Sequence, residues 1–388
     1  VPPNLIPADA QAITPPMLTL VQLSQQAIDA VVAQVDGGAA NVQDIYPLAP
    51  AQEGILFHHL MQPKGDPYQL PNVLGFADKA VLDSFVQALQ ELVDRHDILR
   101  TGVHWQGLEQ PVQVVRRRVK LPLERVHFDP RLGPVQAQLE ALLDPASHRL
   151  DVSRAPLLKC VLAHDEAHQR WLLGIVVHHL AIDHTTLEML VHEAQAIQQG
   201  RRERLSRPAP FRNFVAQARL GVSDAEHEAF FSQMLAQVDE PTAPYGVLDV
   251  QGDGSGVQEL QRPLPAALSQ ALRQQARRLG VSAASVMHLA WSVVLSRLTG
   301  RQEVVFGTVL FGRMHGGEQA DRVMGMFINT LPLKLQVAQQ DVAQALRDTH
   351  ALLARLLRHE HAPLALAQRC SGVDAQLPLF TTLLNYRH

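Results

Sequence analysis

Two pairs of adjacent histidines carry the side chains best suited to chemistry in this sequence. His178 and His179 directly follow the apolar run Trp171–Val177, and Asp183 comes four residues after His179. An unperturbed imidazole titrates near pH ~6.5, so two imidazoles beside a carboxylate at the end of a strand are suited to proton transfer. Asp183 could orient an imidazole or hold the turn, and the sequence does not choose between these roles.

A second pair, His58 and His59, opens a segment that ends in Gly65 and Asp66. These imidazoles could also exchange protons, but adjacent histidines occur as well at helix ends that face solvent or a domain interface. Each pair therefore has a structural interpretation beside the chemical one. Histidine and aspartate are also zinc ligands, yet no further cluster in the sequence has a complementary ligand spacing, so we predict no bound metal.

The elements that position these histidines alternate between helices and strands, which predicts an α/β fold. Ile45–Leu60 is expected to be a loop that enters a helix, and Phe311–Phe327 a Gly-rich loop. Apolar residues at helical spacing predict helices over Met17–Val35, Val81–His96, Thr186–Gln198, Leu264–Leu279, Ser282–Leu298 and Val342–Leu357. Strand-like patterns occur at Gln110–Val119, Trp171–Val177, Val304–Leu310 and Leu379–Asn385.

The length of the chain and one break in its pattern predict how it is divided. At about 150 residues per domain, 388 residues favour two or three units. The run Arg207–Pro210 interrupts the pattern near the middle, and we place the boundary there. Residues 1–40 then form an N-terminal helical appendage, residues 41–208 an N-terminal lobe that carries both histidine pairs, and residues 209–388 a C-terminal lobe.

The composition is that of a globular chain. Its 34 Lys+Arg and 38 Asp+Glu give a net charge of −4, which provides no support for a nucleic-acid or membrane partner. No apolar run approaches the ~18 residues of a membrane span, and the first ten residues lack the features of a signal peptide. Cys160 and Cys370 lie far apart in the sequence, which excludes a disulfide scaffold and favours the cytoplasm. We expect a monomer.

The sequence HHLAIDH at 178–184 resembles the HHxxxD signature of the condensation domains of nonribosomal peptide synthetases. Other segments resemble further motifs of that family, in the family's order, and together they extend from residue 41 to the last residue. They are IYPLAPAQEGILFHHL (45–60), RHDILRT (95–101), MGMFINTLPLK (324–334), RHEHAPLALAQR (358–369) and FTTLLNYRH (380–388). On these motifs the chain is identified as a member of the family.

The resemblance implies two lobes like chloramphenicol acetyltransferase, arranged as a V-shaped pseudo-dimer around a central tunnel. It implies that an upstream donor and a downstream acceptor carrier protein deliver thioesters on phosphopantetheine arms, with an adenylation domain adjacent in the synthetase. The acceptor's α-amine attacks the donor thioester and forms an amide. No cofactor bound by the domain itself is implied, because phosphopantetheine arrives attached to the carriers.

The resemblance also assigns roles by position. His179 corresponds to the central histidine of the HHxxxD motif, preceded by His178, and Asp183 to its structural carboxylate. His179 would deprotonate or orient the attacking amine and stabilise the zwitterionic intermediate. Arg100 is the corresponding salt-bridge partner for Asp183. His184 departs from the family pattern, in which Gly often follows the aspartate, and a bulky residue there could alter the turn.

The segment His58–Asp66 resembles HH(I/L)xxxxGD, the additional signature of dual condensation/epimerization domains. Such domains invert the Cα of the donor's terminal residue from L to D and then condense it with an L-acceptor. The chemistry needs acid and base groups within hydrogen-bond reach of Cα, which His58 and His59 could supply or position. The continuation Asp183–Glu188 is similar to the branch of the family that accepts D-configured donors.

Alternative functions remain open on the sequence. Within the family these are condensation of a D-configured donor without epimerization, or a catalytically silent domain that recruits another protein. A stand-alone acyltransferase with a small-molecule acceptor is the enzyme alternative outside synthetases. Because family members usually continue past the final motif, we also expect the C-terminal lobe to be truncated at its C-terminal end.

Overall fold

The computed structural model describes residues 1–62, 64–248, 257–313, 322–337 and 341–387. By their contacts these residues form two compact units. The first comprises Val1–Gln217 together with Gly316–Phe327, and the second comprises Ala218–His315 together with Ile328–His388. The contact boundary thus follows Gln217, whereas the sequence pattern divides the chain at Arg207–Pro210, and the chain returns to the first unit before Ile328.

The first unit contains β-sheets in which nearly all neighbours are antiparallel. One has the order β1-β4-β3 and the other the order β2-β7-β6-β5, with only the β5–β6 pair parallel. The bounds are β1 Val42–Pro47, β2 Gln69–Phe76, β3 Thr101–His104, β4 Val112–Arg116, β5 Leu123–Arg125, β6 Leu158–Asp165 and β7 Arg170–His178. The predicted strands at Gln110–Val119 and Trp171–Val177 correspond to β4 and β7.

Among the helices that begin in the first unit, Lys79–Arg95 and Val135–Leu142 pack on the four-stranded sheet. Gly174 in β7 allows close packing, because a Cβ atom there would lie 2.4 Å from the Leu143 side chain. The bounds are α1 Gln25–Val32, α2 Pro50–Met61, α3 Lys79–Arg95, α4 Val135–Leu142, α5 His184–Gln198 and α6 Phe211–Leu220. The helices predicted over Val81–His96 and Thr186–Gln198 are therefore formed, and the segment Ile45–Leu60 contains the end of β1 and most of α2.

The N-terminal segment before β1 is part of the first unit's core. Its apolar side chains cover buried residues of β1 and β4. Its α-helix is α1, with short 3-10 helices at Pro15–Met17 and Gly38–Asn41. Because Ser24 accepts the N–H of Ala27, α1 begins there, later than the predicted start at Met17. The apolar side chains of the segment are Ile6, Ala10, Ile13, Leu18, Val21, Ile28, Val31 and Val35.

The second unit packs helices against a sheet in the order β10-β8-β9. The bounds are α7 Asp224–Leu235, α8 Ala266–Leu279, α9 Ala283–Thr299, β8 Glu303–Leu310, β9 Asn329–Gln336, α10 Val342–Arg358, α11 Leu364–Arg369 and β10 Leu383–Leu384. Gly280, at a φ of +68°, ends α8 at the predicted position. The predicted closing strand over Leu379–Asn385 is limited to β10, and much of the predicted Gly-rich loop lies outside the described residues.

Among the described residues, no single helix has both the length and the apolar character needed to cross a membrane. The pair α8 and α9, bent by 107°, meets those criteria only when the two helices are taken together.

Candidate active site

The end of the second histidine motif packs against the backbone of Pro145 and Ala146. Gly65 adopts a φ of +71°, and a Cβ atom there would lie 3.0 Å from the carbonyl oxygens of Pro145 and Ala146. Asp66 then donates its backbone N–H to the Pro145 carbonyl at 2.7 Å. A glycine is needed before Asp66 because both the left-handed conformation and the close approach disfavour a side chain.

The Asp66 carboxylate binds one histidine from each pair. Its Oδ2 atom lies 2.6 Å from Nδ1 of His59 and 2.9 Å from Nε2 of His178, while Oδ1 accepts the backbone N–H of Tyr68 at 3.0 Å. All three side chains are buried, with exposed fractions of 6% for His59, 2% for Asp66 and 0% for His178. The two motifs, distant in sequence, therefore share one buried carboxylate.

The hydrogen bonds of His178 determine which ring nitrogen carries its proton. Nδ1 accepts the backbone N–H of Leu180 at 3.0 Å, so the neutral ring is protonated at Nε2 and donates to Asp66. Burial lowers the pKa of His178 even though the Asp66 charge acts in the opposite direction. Burial raises the pKa of Asp66, but hydrogen bonds from His178 and His59 outweigh it and hold that pKa well below its usual range. The arrangement is thus one buried carboxylate that accepts hydrogen bonds from two imidazoles.

His179 differs from His178 in the partner of its Nδ1 atom, which is a carbonyl oxygen and not a backbone N–H. Its side chain is half-buried, and its Nδ1 lies 3.0 Å from the carbonyl oxygen of Ile182. A carbonyl only accepts, so Nδ1 carries the proton and Nε2 of the neutral ring has a free lone pair. Within the described residues Nε2 receives no hydrogen bond. An oriented imidazole with an available lone pair is the state that a general base requires.

Tyr68 contacts the more exposed member of each pair. Its backbone carbonyl accepts the N–H of His179 at 2.9 Å, and its hydroxyl lies 2.7 Å from Nδ1 of His58. His58 is exposed at the end of α2, whereas Tyr68 is half-buried. Burial and the nearby Asp66 charge both raise the pKa of Tyr68, so its phenol is a stable hydrogen-bond donor at neutral pH.

Asp183 holds the turn that follows β7. Its Oδ1 accepts the N–H of Thr186 at 2.7 Å and so caps the first turn of α5, and its Oδ2 accepts the N–H of Phe327 at 3.3 Å. Thr186 in turn exchanges hydrogen bonds with the backbone of Gly325. The carboxylate is 1% exposed. Of the two roles left open by the sequence, these contacts match the structural one, since His179 is oriented by Ile182.

Comparison with known proteins identifies the family. The model of the condensation-domain family matches residues 42–388. The chain belongs to the condensation-domain family. Condensation domains are acyltransferases that form peptide bonds in nonribosomal peptide synthetases.

Individual relatives agree with this assignment. Malpinin synthetase of Mortierella alpina is 52% identical over 388 residues, which cover 100% of this chain and 5% of that protein. Malpibaldin synthetase of the same organism is 49% identical over 387 residues, covering 100% of this chain and 7% of that protein. The chain thus spans a small part of the curated relatives that it matches.

A solved structure supports the fold. The starter condensation domain of rhizomide synthetase, in complex with C8-CoA, matches with a TM-score of 0.65 and 22% identity, over 92% of this chain and 80% of that one. The predicted α/β, condensation-type fold class is therefore confirmed.

The geometry of the condensation domain's site bears on two expectations from the sequence, which concern Arg100 and His184. Arg100 donates to the carbonyl oxygens of Val93 and Arg116 and to Gln43, and forms no ion pair with Asp183 in the described part of the chain, so that predicted pair was wrong. His184 is the first residue of α5, where its exposed ring lies 3.2 Å from Glu188. A bulky residue is accommodated because it points along the helix surface.

The three buried groups of the site also have the composition of a metal site. The ligand-type atoms of His59, Asp66 and His178 all lie within 4.8 Å of one another. Their separations of 2.6 and 2.9 Å from Oδ2 are those of direct hydrogen bonds, and the second nitrogen of His178 already accepts a backbone N–H. Hydrogen bonding thus accounts for the cluster, and the prediction of no bound metal stays a prediction.

Sequence reasoning named the four histidines and Asp183 but missed Asp66 and Tyr68 as members of the site. Asp66 was visible as the last residue of the His58–Asp66 motif, so its position in the motif was the available signal. Tyr68 lies outside the motif. Only the pairing of β2 with β7, which sets Gln69 opposite His178, brings Tyr68 next to His179.

Proposed function

We propose that this condensation domain has two activities at one site. It inverts the Cα of the C-terminal residue of a carrier-bound peptidyl thioester from L to D, and then condenses that donor with a carrier-bound L-aminoacyl acceptor. The observation that carries the proposal is the joining of the second histidine pair to the first, through Asp66 on the buried side and Tyr68 on the exposed side. A pair with a purely peripheral role has no reason to share these contacts.

The condensation step makes modest chemical demands. The acceptor's amine attacks the donor's thioester carbonyl, the C–N bond forms, the C–S bond breaks, and the amine proton finally neutralises the leaving thiolate. His179 is suited to accept that proton or to orient the amine, because its Nε2 lone pair is available. Holding amine and thioester together can supply about 7–11 kcal/mol of the barrier reduction.

The inversion step demands groups on both faces of Cα. One group removes the α-proton, the electron pair is delocalised into the thioester carbonyl, and a proton returns to the other face. His179 and His58 are the members of the pairs that reach solvent, whereas His59 and His178 are buried and bound to Asp66. The accessible members are therefore assigned to the reaction, and the buried members with Asp66 to positioning.

We also propose the partners of this domain and its location in the cell. Upstream and downstream carrier proteins supply their substrates on covalently attached phosphopantetheine, an adenylation domain lies adjacent in the synthetase, and the domain itself binds no cofactor. Family membership supports these assignments. Both cysteines are free thiols, which agrees with a cytoplasmic location.

The test loads the upstream carrier with an all-L peptidyl donor, omits the acceptor, and follows deuterium incorporation at Cα from heavy water. We expect deuterium incorporation with accumulation of the D-donor, and loss of both in His179→Ala. Loaded acceptor added afterwards should yield amide. Efficient coupling of a synthetic D-donor without any exchange would reduce the function to condensation alone, and binding of carriers with neither reaction would indicate a recruiting domain.

A further inference from the structure

Tyr68 occupies the position that links the two accessible histidines. Antiparallel pairing sets Gln69 opposite His178, and the bond from the His179 N–H to the Tyr68 carbonyl extends this register by one residue. Directly opposed residues of antiparallel strands place their side chains on the same face, with Cβ atoms about 4.5–5.5 Å apart. The Tyr68 side chain therefore leaves the strand beside His179, and its hydroxyl ends at His58.

We propose that the Tyr68 phenol is the acid that returns a proton to Cα on the face opposite His179, with His58 as the relay that reloads it. This inference rests on the epimerase activity proposed above. It narrows the part of His58 in the reaction to proton supply through Tyr68, whose hydroxyl lies 2.7 Å from Nδ1 of His58, while His59 is bound to Asp66.

The inversion removes one proton from Cα and returns one proton to its other face. Nε2 of His179 takes the α-proton of the L-residue, and the C–H electron pair moves into the thioester as an enolate. The Tyr68 O–H then gives its proton to the opposite face of Cα, where the enolate electron pair forms the new C–H bond. The resulting phenolate takes a proton through His58, which exchanges with water, and His179 releases its proton to water. No oxidant or reductant is needed.

The surroundings suit Tyr68 to the acid role and His58 to the relay. Tyr68 is half-buried, and burial beside the Asp66 charge raises its pKa, so the phenol keeps its proton until the enolate forms. His58 is exposed and lies 2.7 Å from the hydroxyl, which connects the phenol to solvent. Tyr68→Phe removes only the hydroxyl and preserves the ring and the backbone bond to His179.

The experiment starts from an L-configured peptidyl donor in heavy water and compares wild type, Tyr68→Phe and the control Tyr245→Phe. Tyr245 is 82% exposed and belongs to the second unit. We expect Tyr68→Phe still to exchange the α-proton of the L-donor. Its rate of D-donor formation should fall by at least about 100-fold, the lower end of the range for loss of a general acid. His179 can still remove and return the proton on one face. Coupling of a synthetic D-donor should fall far less than inversion does, because that step returns no proton to Cα.

Other outcomes separate the two proposals. Wild-type inversion rates in Tyr68→Phe would overturn the role of Tyr68 and leave the epimerase intact. Absence of exchange in the wild type would overturn both. Equal loss of exchange, inversion and D-donor coupling in Tyr68→Phe, with an unchanged unfolding curve, would make Tyr68 a positioning residue for His179 and so contradict the acid role.

Discussion

Replacing Asp66 by asparagine tests the buried contact between the two histidine motifs. The carboxylate accepts hydrogen bonds at both oxygens, from His59 and His178 at Oδ2 and from the Tyr68 N–H at Oδ1. An asparagine has the same shape but only one oxygen. Whichever way the amide is turned, its NH2 group then faces an N–H donor, so at least one bond is replaced by a clash of donors.

The size of the effect follows from these contacts. Hydrogen bonds to a charged group contribute about 1.5–3 kcal/mol each, so the two imidazole bonds together amount to about 3–6 kcal/mol. The amide oxygen retains part of this energy. We expect Asp66→Asn to lower the free energy of unfolding at neutral pH by about 2–4 kcal/mol, a large part of the ~5–15 kcal/mol typical of a folded domain.

The difference in stability between wild type and Asp66→Asn should depend on pH. Although burial raises the pKa of Asp66, the hydrogen bonds from His178 and His59 hold it below the ordinary value of 3.8. A carboxylate with a depressed pKa adds stability above its unfolded pKa and loses that contribution as the pH falls toward its folded pKa. The difference between wild type and Asp66→Asn should therefore be full at pH 7 and shrink below about pH 4.

The assay is urea unfolding followed by tryptophan fluorescence, since Trp105 and Trp171 lie in the first unit. Asp83→Asn is the matched control, because Asp83 is an exposed residue of α3 whose partner is Lys79. The control should stay within about 0.5 kcal/mol of wild type. If Asp66→Asn is as stable as Asp83→Asn at pH 7, the hydrogen bonds from His59 and His178 to the shared carboxylate do not stabilise the first unit.

Two further predictions concern a metal and the N-terminal segment. Because direct hydrogen bonds account for the buried cluster, overnight dialysis against a chelator should leave the deuterium exchange rate unchanged; a loss that Zn²⁺ restores would instead show a metal site. Arg212 pairs with Asp44 at 2.7 Å and also binds the Pro2 carbonyl and Thr19. Arg212→Met should therefore destabilise the first unit by about 3–5 kcal/mol and expose the N-terminal segment to protease, unlike Arg202→Met at the surface; equal protease resistance of the two variants would contradict this.

The sequence predicts the elements of the site better than its contacts. The predicted ends of long helices with regular apolar spacing, such as α3 and α10, lie within a few residues of the observed ends. Burial of one helix face requires apolar residues at helical spacing, and this spacing is visible in the sequence. Strand β2 escapes prediction because Pro71, Asn72 and Gly75 interrupt its pattern. It is a strand because it pairs along its whole length with β7. Tertiary pairing therefore overrides local propensity at the element that carries the site.

The partners of the site residues depend on tertiary contacts that the sequence alone does not contain. Asp66 and His178 are separated by 112 residues, and no local pattern predicts their hydrogen bond. The pair between Arg100 and Asp183 was inferred from analogy and was wrong, since Arg100 binds backbone carbonyls near its own element. The role of Asp183 as a helix cap could have been predicted, because Asp directly before a helical pattern is a preferred N-cap residue.

The histidine pairs divide their roles because adjacent residues cannot share a face. Neighbouring side chains diverge by about 100° on a helix and point to opposite sides of a strand. On α2 the buried positions Gln52, Ile55, Leu56 and His59 follow helical spacing, which leaves His58 exposed. At the end of β7, His178 is buried and His179 faces outward. Each pair thus supplies one buried and one accessible imidazole. The two buried rings share the Asp66 carboxylate. Tyr68 contacts the residues that carry the accessible rings, His58 through its hydroxyl and His179 through its backbone carbonyl.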